Sequence, residues 1–186
     1  MNTFLISDTH FGHKGVTQFL RADGVTKERP WDNPEEMDEA LVANWNSVVR
    51  PKDKVYHLGD VVINRRALAT LGRLNGEKVL IKGNHDLFRL EEYTPYFKDI
   101  RAVGVLDRFV LTHIPVHPAS IERWDANIHG HLHSNVVLKA DYLGDGEYDR
   151  DPDTRYFSVC VEQPYMNYTP IPFETVKALI KERQDG

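Results

Sequence analysis

The sequence contains a single cysteine, Cys160, and no tract of clustered basic residues. One cysteine can form neither an internal disulfide nor a cysteine-rich zinc site, which fits a reducing compartment. With a formal net charge of −5, the chain lacks the electrostatic footprint of a protein that grips long nucleic acid. No apolar run approaches the roughly 18 residues of a membrane span. The opening Met1-Asn2-Thr3-Phe4-Leu5-Ile6 turns polar without a basic region or a small-residue cleavage pattern. These absences point to a cytoplasmic location, no membrane partner and no duplex nucleic acid. Repeats and low-complexity segments are absent too.

What is present is globular in character: 186 residues, 41% hydrophobic and 27% charged, enough for one domain over residues 1–186 with its own core. Short apolar runs recur: Thr3 to Ser7, Val55 to Leu58, Lys78 to Ile81, Ile100 to Leu106, Phe109 to Leu111, Ala126 to Ile128, Asn135 to Leu138 and Tyr156 to Val161. Each reads as a strand. Asn33-Pro34-Glu35-Glu36 is a helix start with a capping box, and Met37, Leu41, Trp45 and Val48 follow at helical spacing until Pro51. Arg65 to Leu74, a short piece within Leu87 to Phe97, and Phe173 to Arg183 are further helical stretches. The Asp- and Gly-rich segment Asp141 to Thr154 reads as an exposed, mobile loop. Helices interleaved with early strands, and mostly strands later, predict an α/β (α+β) layered domain with a mixed sheet or two packed sheets.

The nine histidines stand out by placement. His10, His57, His85, His113, His129, His131 and His133 lie in or just beyond the apolar runs, where layered α/β proteins gather ligands. Five segments end in oxygen or imidazole donors: Asp8-x-His10, Gly59-Asp60, Gly83-Asn84-His85-Asp86, Thr112-His113 and Gly130-His131-x-His133. Taken singly, each has an ordinary reading as a turn or a solvated histidine; Gly83-Asn84 is also a tight-turn pair. His131 and His133, as alternate residues of an extended segment, face one side. Together they match the mixed carboxylate and imidazole shells favoured by divalent transition metals. A carboxylate can bridge two cations whereas a neutral imidazole cannot, and Asp60 follows a glycine that lets the backbone turn sharply.

This ordered set, from Ser7 to His133, resembles the calcineurin-like metallophosphoesterase superfamily, in particular its compact single-domain bacterial and phage members. The resemblance implies a two-layer β-sandwich flanked by helices. It also implies two divalent metal ions, manganese first, with iron, nickel or zinc as alternatives. Asp8, His10 and His133 would hold one ion, Asn84, His113 and His131 the other, and Asp60 would bridge them. His85 would be the general acid, oriented by Asp86. The implied reaction is attack of a metal-bridging hydroxide on a small phosphodiester or phosphomonoester, with the diester favoured and a nucleotide among the candidate substrates.

Among the remaining residues, His57 reads as a core or supporting histidine, and His129 as a supporting donor to a ligand carboxylate. His13 and His117 lie near the motifs and are weighed between substrate contact and solvent. Arg29, Arg65, Arg66 and Lys82 are weaker phosphate-contact candidates; Trp31, Trp124 and Tyr165 could stack on a base or simply pack. Two other functions remain in play: a nuclease acting on short single-stranded ends, and a catalytically silent scaffold, against which the complete donor set counts. A closed structural zinc site is excluded by the mixed donors.

Overall fold

The computed structural model describes residues 1–144 and 147–186. The chain opens with β1 (Thr3–Ile6) and reaches α1 (Pro34–Val48) through a 3-10 turn. The Asn33 side chain accepts from the Glu36 N–H, and Pro34 occupies the first turn. Met37, Leu41 and Trp45 face the core as their spacing requires; Val48 does not, and Val49 is buried in its place. β2 (Lys54–His57) follows. The Arg65–Arg73 segment then forms 3-10 turns, and β3 (Glu77–Ile81), the short α2 (Leu90–Tyr93) and β4 (Asp99–Arg101) come next. β5 (Gly104–Leu106), β6 (Phe109–Leu111) and β7 (Ala126–His129) begin the second half. β8 (Tyr142–Gly144), β9 (Glu147–Tyr148), β10 (Tyr156–Ser158), β11 (Ile171–Pro172) and α3 (Phe173–Asp185) complete it.

Two mixed sheets form the centre, in the orders β11-β1-β2-β3-β4 and β10-β7-β6-β5. In the first, β1, β2, β3 and β4 pair in parallel and β11 pairs antiparallel with β1. In the second, β6, β7 and β10 are parallel, with β5 antiparallel to β6. Side chains from both sheets, including Leu5, Val55, Leu80, Leu111, Ile128 and Phe157, share one buried cluster with Trp45 of α1 and Val176 and Ile180 of α3. This is the sandwich flanked by helices that the motif order implies, and it aims the C-terminal ends of the parallel strands at one rim.

Three expectations need correction. The apolar stretch Ile100 to Leu106 is not one strand: it bends at residues 102 and 103 and supplies β4 to one sheet and β5 to the other. Asn135 to Leu138 forms no strand; its one bridge joins Leu138 to Pro152. The Asp141 to Thr154 segment is exposed at most of its described positions, as expected, but it is not all loop: it carries the paired strands β8 and β9 and a buried Asp153, ion-paired with Arg155; residues 145 and 146 lie outside the described residues.

Candidate metal centre

Each donor motif occupies the first residues beyond a strand end, where the chain must turn out of the sheet. The turn is made by the donors themselves. Asp8, His10, Asp60, His131 and His133 all have left-handed backbone, with φ of 59°, 51°, 55°, 72° and 53°. Only a few per cent of non-glycine residues adopt this region, and Asp, Asn and His are those enriched there. Gly59 (φ +94°) allows a close backbone approach: a Cβ there would lie 2.6 Å from the Gly83 Cα and 2.7 Å from His113 Nδ1. The turns are tied to one another by Asp8 N–H to Gly59 O (3.0 Å) and His10 N–H to Asp60 O (3.0 Å).

Two groups of donors result. Ligand atoms of Asp8, His10 and His133 lie within 4.8 Å of one another, as do those of Asp60, His113 and His131. Asp60 stands between them, its Oδ2 3.7 Å from His10 Nε2 and 3.3 Å from His113 Nε2. Asn84 joins the second group, its Oδ1 2.8 Å from His113 Nε2. His85 is exposed, with its ring centroid 5.8 Å from that of His10, and its backbone N–H donates to Asp60 Oδ1 at 2.8 Å. His131 and His133 correct the extended-segment reading: their left-handed turns break the alternation and send the two rings to different groups.

The electrostatics suit cations. Burial pushes the Asp8 carboxyl up, yet the His10 imidazole, 3.7 Å away, and those of His113 and His133 hold it well below the ordinary carboxylate range. Burial works the same way on Asp60, and the His113 ring, 3.3 Å away, overcomes it. Burial pulls His113 down, but Asp60 and Asp8 raise it to about 9; its Nδ1 donates to Leu58 O at 2.7 Å, which points Nε2 at Asp60 and Asn84. Asp8 Oδ1 and both ring nitrogens of His10 are buried with no hydrogen-bond partner. Orphaned buried polar atoms are costly, and a divalent cation among them would satisfy Asp8 Oδ1 and the one ring nitrogen of His10, Nε2, that faces Asp8 and Asp60; the donors present fit such an ion.

Behind the donors lies a supporting set that the sequence did not reveal. His133 Nδ1 donates to Glu162 Oε1 at 2.9 Å, which turns Nε2 toward the site. The same oxygen accepts from Arg29 Nε at 2.8 Å and Nη2 at 2.5 Å. Arg29 is wholly buried, and it also donates to the carbonyls of Thr9 (2.8 Å) and Asp8 (2.5 Å). It is therefore a brace for the Asp8 turn and not a phosphate contact. Cys160 donates its thiol proton to Asp8 Oδ2 at 3.2 Å. Glu162 and Cys160 lie beyond the last motif, and nothing in their local sequence marks them.

Asp86 also departs from expectation. Its carboxylate accepts from the backbone N–H groups of Asp60 (2.9 Å), Val61 (2.9 Å) and Gly83 (2.8 Å), so it locks two donor turns together; no bond to the His85 ring is present. His129 does not reach a ligand carboxylate: Nδ1 donates to Gly130 O at 2.7 Å, and the ring lies edge-on to Tyr156. His57 is a core residue, bonded to Thr9 Oγ1 at 3.0 Å, with burial pulling it down to about 3. His117 accepts from Ala119 N–H on the surface at 3.3 Å, whereas His13 sits 5.5 Å from the His10 ring. Arg65 pairs with Glu92 and lies over Phe88.

Among known proteins, an uncharacterized protein of Methanocaldococcus jannaschii is 34% identical over 187 aligned positions, covering 96% of this chain and 91% of its own. The gene 66 protein of Mycobacterium phage L5 is 36% identical over 90 positions, 46% of this chain and 40% of its own length. The crystal structure of a protein of unknown function from Aquifex aeolicus shares the fold, with a TM-score of 0.65 at 24% identity, 96% of this chain and 98% of that one being covered. Residues 1–136 match the family model of the calcineurin-like phosphoesterases. That match contains all five donor turns, and the chain therefore belongs to the calcineurin-like phosphoesterases, hydrolases of phosphoric esters that depend on divalent metal ions.

Proposed function

We propose that this chain is a dinuclear phosphodiesterase for small esters, with manganese as its working metal. Asp8, His10 and His133 would hold one ion, Asn84, His113 and His131 the other, with Asp60 shared. The observation that carries this reading is the position of Asp60 Oδ2, within 3.7 Å of His10 Nε2 and 3.3 Å of His113 Nε2, at the seam between the two donor groups. Divalent cations bound there supply positive charge to the phosphoryl oxygens and acidify a water.

The chain's own residues do the rest. The Asp86 carboxylate fixes the Asp60 and Gly83 turns, and the His85 N–H holds Asp60 Oδ1, so the donors are set before substrate arrives. The exposed His85 ring carries a proton to the departing ester oxygen, a role worth about 10²–10⁴-fold in rate. The test is hydrolysis of bis(p-nitrophenyl) phosphate by the manganese-loaded protein, alongside His85→Ala. The variant should lose turnover by about 10²–10⁴-fold with metal content unchanged. Lost metal would move His85 into the ligand shell, and no turnover by folded wild-type protein with any divalent metal would overturn the diesterase reading.

A further inference from the structure

The donor groups define where phosphorus sits; what selects the rest of the ester must lie on the walls around them. One wall is formed by the chain between the first donor turn and α1. After the 3-10 turn Gly15–Gln18, residues 19 to 28 fold into a hairpin. It is closed by Glu28 N–H to Phe19 O (2.8 Å), Arg21 N–H to Thr26 O (2.8 Å) and the antiparallel bridge of Leu20 with Lys27. Its tip is capped by Asp23, whose Oδ1 accepts from the N–H groups of Val25 (2.9 Å) and Thr26 (2.8 Å). Its base is anchored where Arg29 grips the Asp8 and Thr9 carbonyls. The hairpin is thus locked to the donor turn itself.

Phe19 is the residue this frame aims at the site. Its ring lies 5.9 Å from that of His13 and 6.4 Å from that of His133, perpendicular to both at 86°, and it remains 45% exposed. An exposed phenylalanine alone is ordinary. Here, however, the neighbouring Leu20, also half exposed, points to the other side of the hairpin, because successive residues of an extended strand alternate. Phe19 is therefore an open aromatic surface bordering a candidate metal ligand, held by the Glu28 N–H on its carbonyl. Flat unsaturated rings stack on such a surface irrespective of their hydrogen-bonding edges. Sugars and alkyl groups gain much less.

Building on the diesterase reading, we propose that Phe19 is a specificity-determining platform, and that the preferred esters carry a flat aromatic ring, as a nucleobase does, on the organic group beside the Asp8–His10–His133 end. The ring is placed by stacking and not by base-edge contacts, so purine and pyrimidine are both accepted.

The test compares AMP with ribose 5-phosphate as inhibitors of bis(p-nitrophenyl) phosphate hydrolysis by the manganese-loaded protein. The two share phosphate and sugar and differ only in the base. AMP should inhibit about tenfold more strongly, in keeping with base–aromatic stacking. The preference should vanish in Phe19→Ala and persist in Phe19→Trp, each variant read as the ratio of the two inhibition constants and not as absolute rate. Equal inhibition by the two compounds in the wild type, or an unchanged ratio in Phe19→Ala, overturns the platform while leaving the diesterase intact. Absence of turnover in the wild type removes both.

Discussion

The buried ion pair behind the metal centre makes the sharpest stability test. Arg29 and Glu162 are both fully buried, and one carboxylate oxygen, Oε1, takes the guanidinium and His133 together, while Oε2 is buried without a partner. Burial pushes the Glu162 carboxyl up, but the charge of Arg29 overrides it and holds the group below its ordinary value, so the pair is ionised at neutral pH. Glu162→Gln leaves the Arg29 charge in the interior with no counter-ion. Breaking a buried pair in this way costs about 3–5 kcal/mol. For a domain of this size each kcal/mol is about 2–4 °C in Tm, so a fall of about 6–20 °C follows. Arg29→Met should cost as much, since it also strands the Asp8 and Thr9 carbonyls. The double variant should be less destabilised than the sum, with a coupling of about 2 kcal/mol or more. Urea unfolding of the four proteins in chelator measures the cycle. Manganese titration adds a local readout: because His133 loses its anionic acceptor, the affinity of its group should drop about 10–100-fold. Additive single effects of about 1 kcal/mol or less, the size of a solvated surface pair, would refute the argument.

Other consequences are simpler to measure. His131 has φ 72°, so His131→Gly should unfold about 1 kcal/mol later than His131→Ala although both lose the same imidazole; thermal melts without metal compare them. Gly59→Ala drives a Cβ to 2.6 Å from Gly83 backbone at φ +94°, and a loss of about 3 kcal/mol or more in urea unfolding is expected. Asp38, whose carboxylate accepts from the Gly12 N–H, is raised to about 6 by burial, which the Gly12 bond only partly offsets. A raised folded pKa stabilises fully below the ordinary 3.8 and is lost as pH climbs through about 6. Asp38→Asn should therefore flatten the decline of stability between about pH 4 and pH 7 followed by denaturant titration.

The clustering of the candidate donors was legible because strand end and donor are adjacent in the chain: an apolar run ends, and the next few residues carry the oxygen or imidazole. The α1 start was legible for a similar local reason, Asn33 and Pro34 being its own cap and first turn. What escaped were relations across the chain. Arg29 and Glu162 are 133 residues apart, and neither has a local pattern that names the other. Residues 100 to 106 form an unbroken apolar-rich stretch, yet hydropathy carries no mark of the point where a chain leaves one sheet for another. His129 was misassigned because strand alternation was carried past the end of β7, where His131 and His133 turn left-handed. Asp86 looked like a partner for its neighbour in sequence, while its oxygens serve backbone groups brought in from the preceding strand.

Cys160, the one thiol in the sequence, is fully buried and hydrogen-bonded to Asp8. Burial, with the nearby Asp8 and Glu162 charges, pushes its pKa well up, so the closed protein offers a labelling reagent neither access nor thiolate. The rate at which an alkylating agent reaches it thus reports how often the Asp8 end springs open. The molecule carries its own gauge of breathing at the metal centre, readable without an added probe.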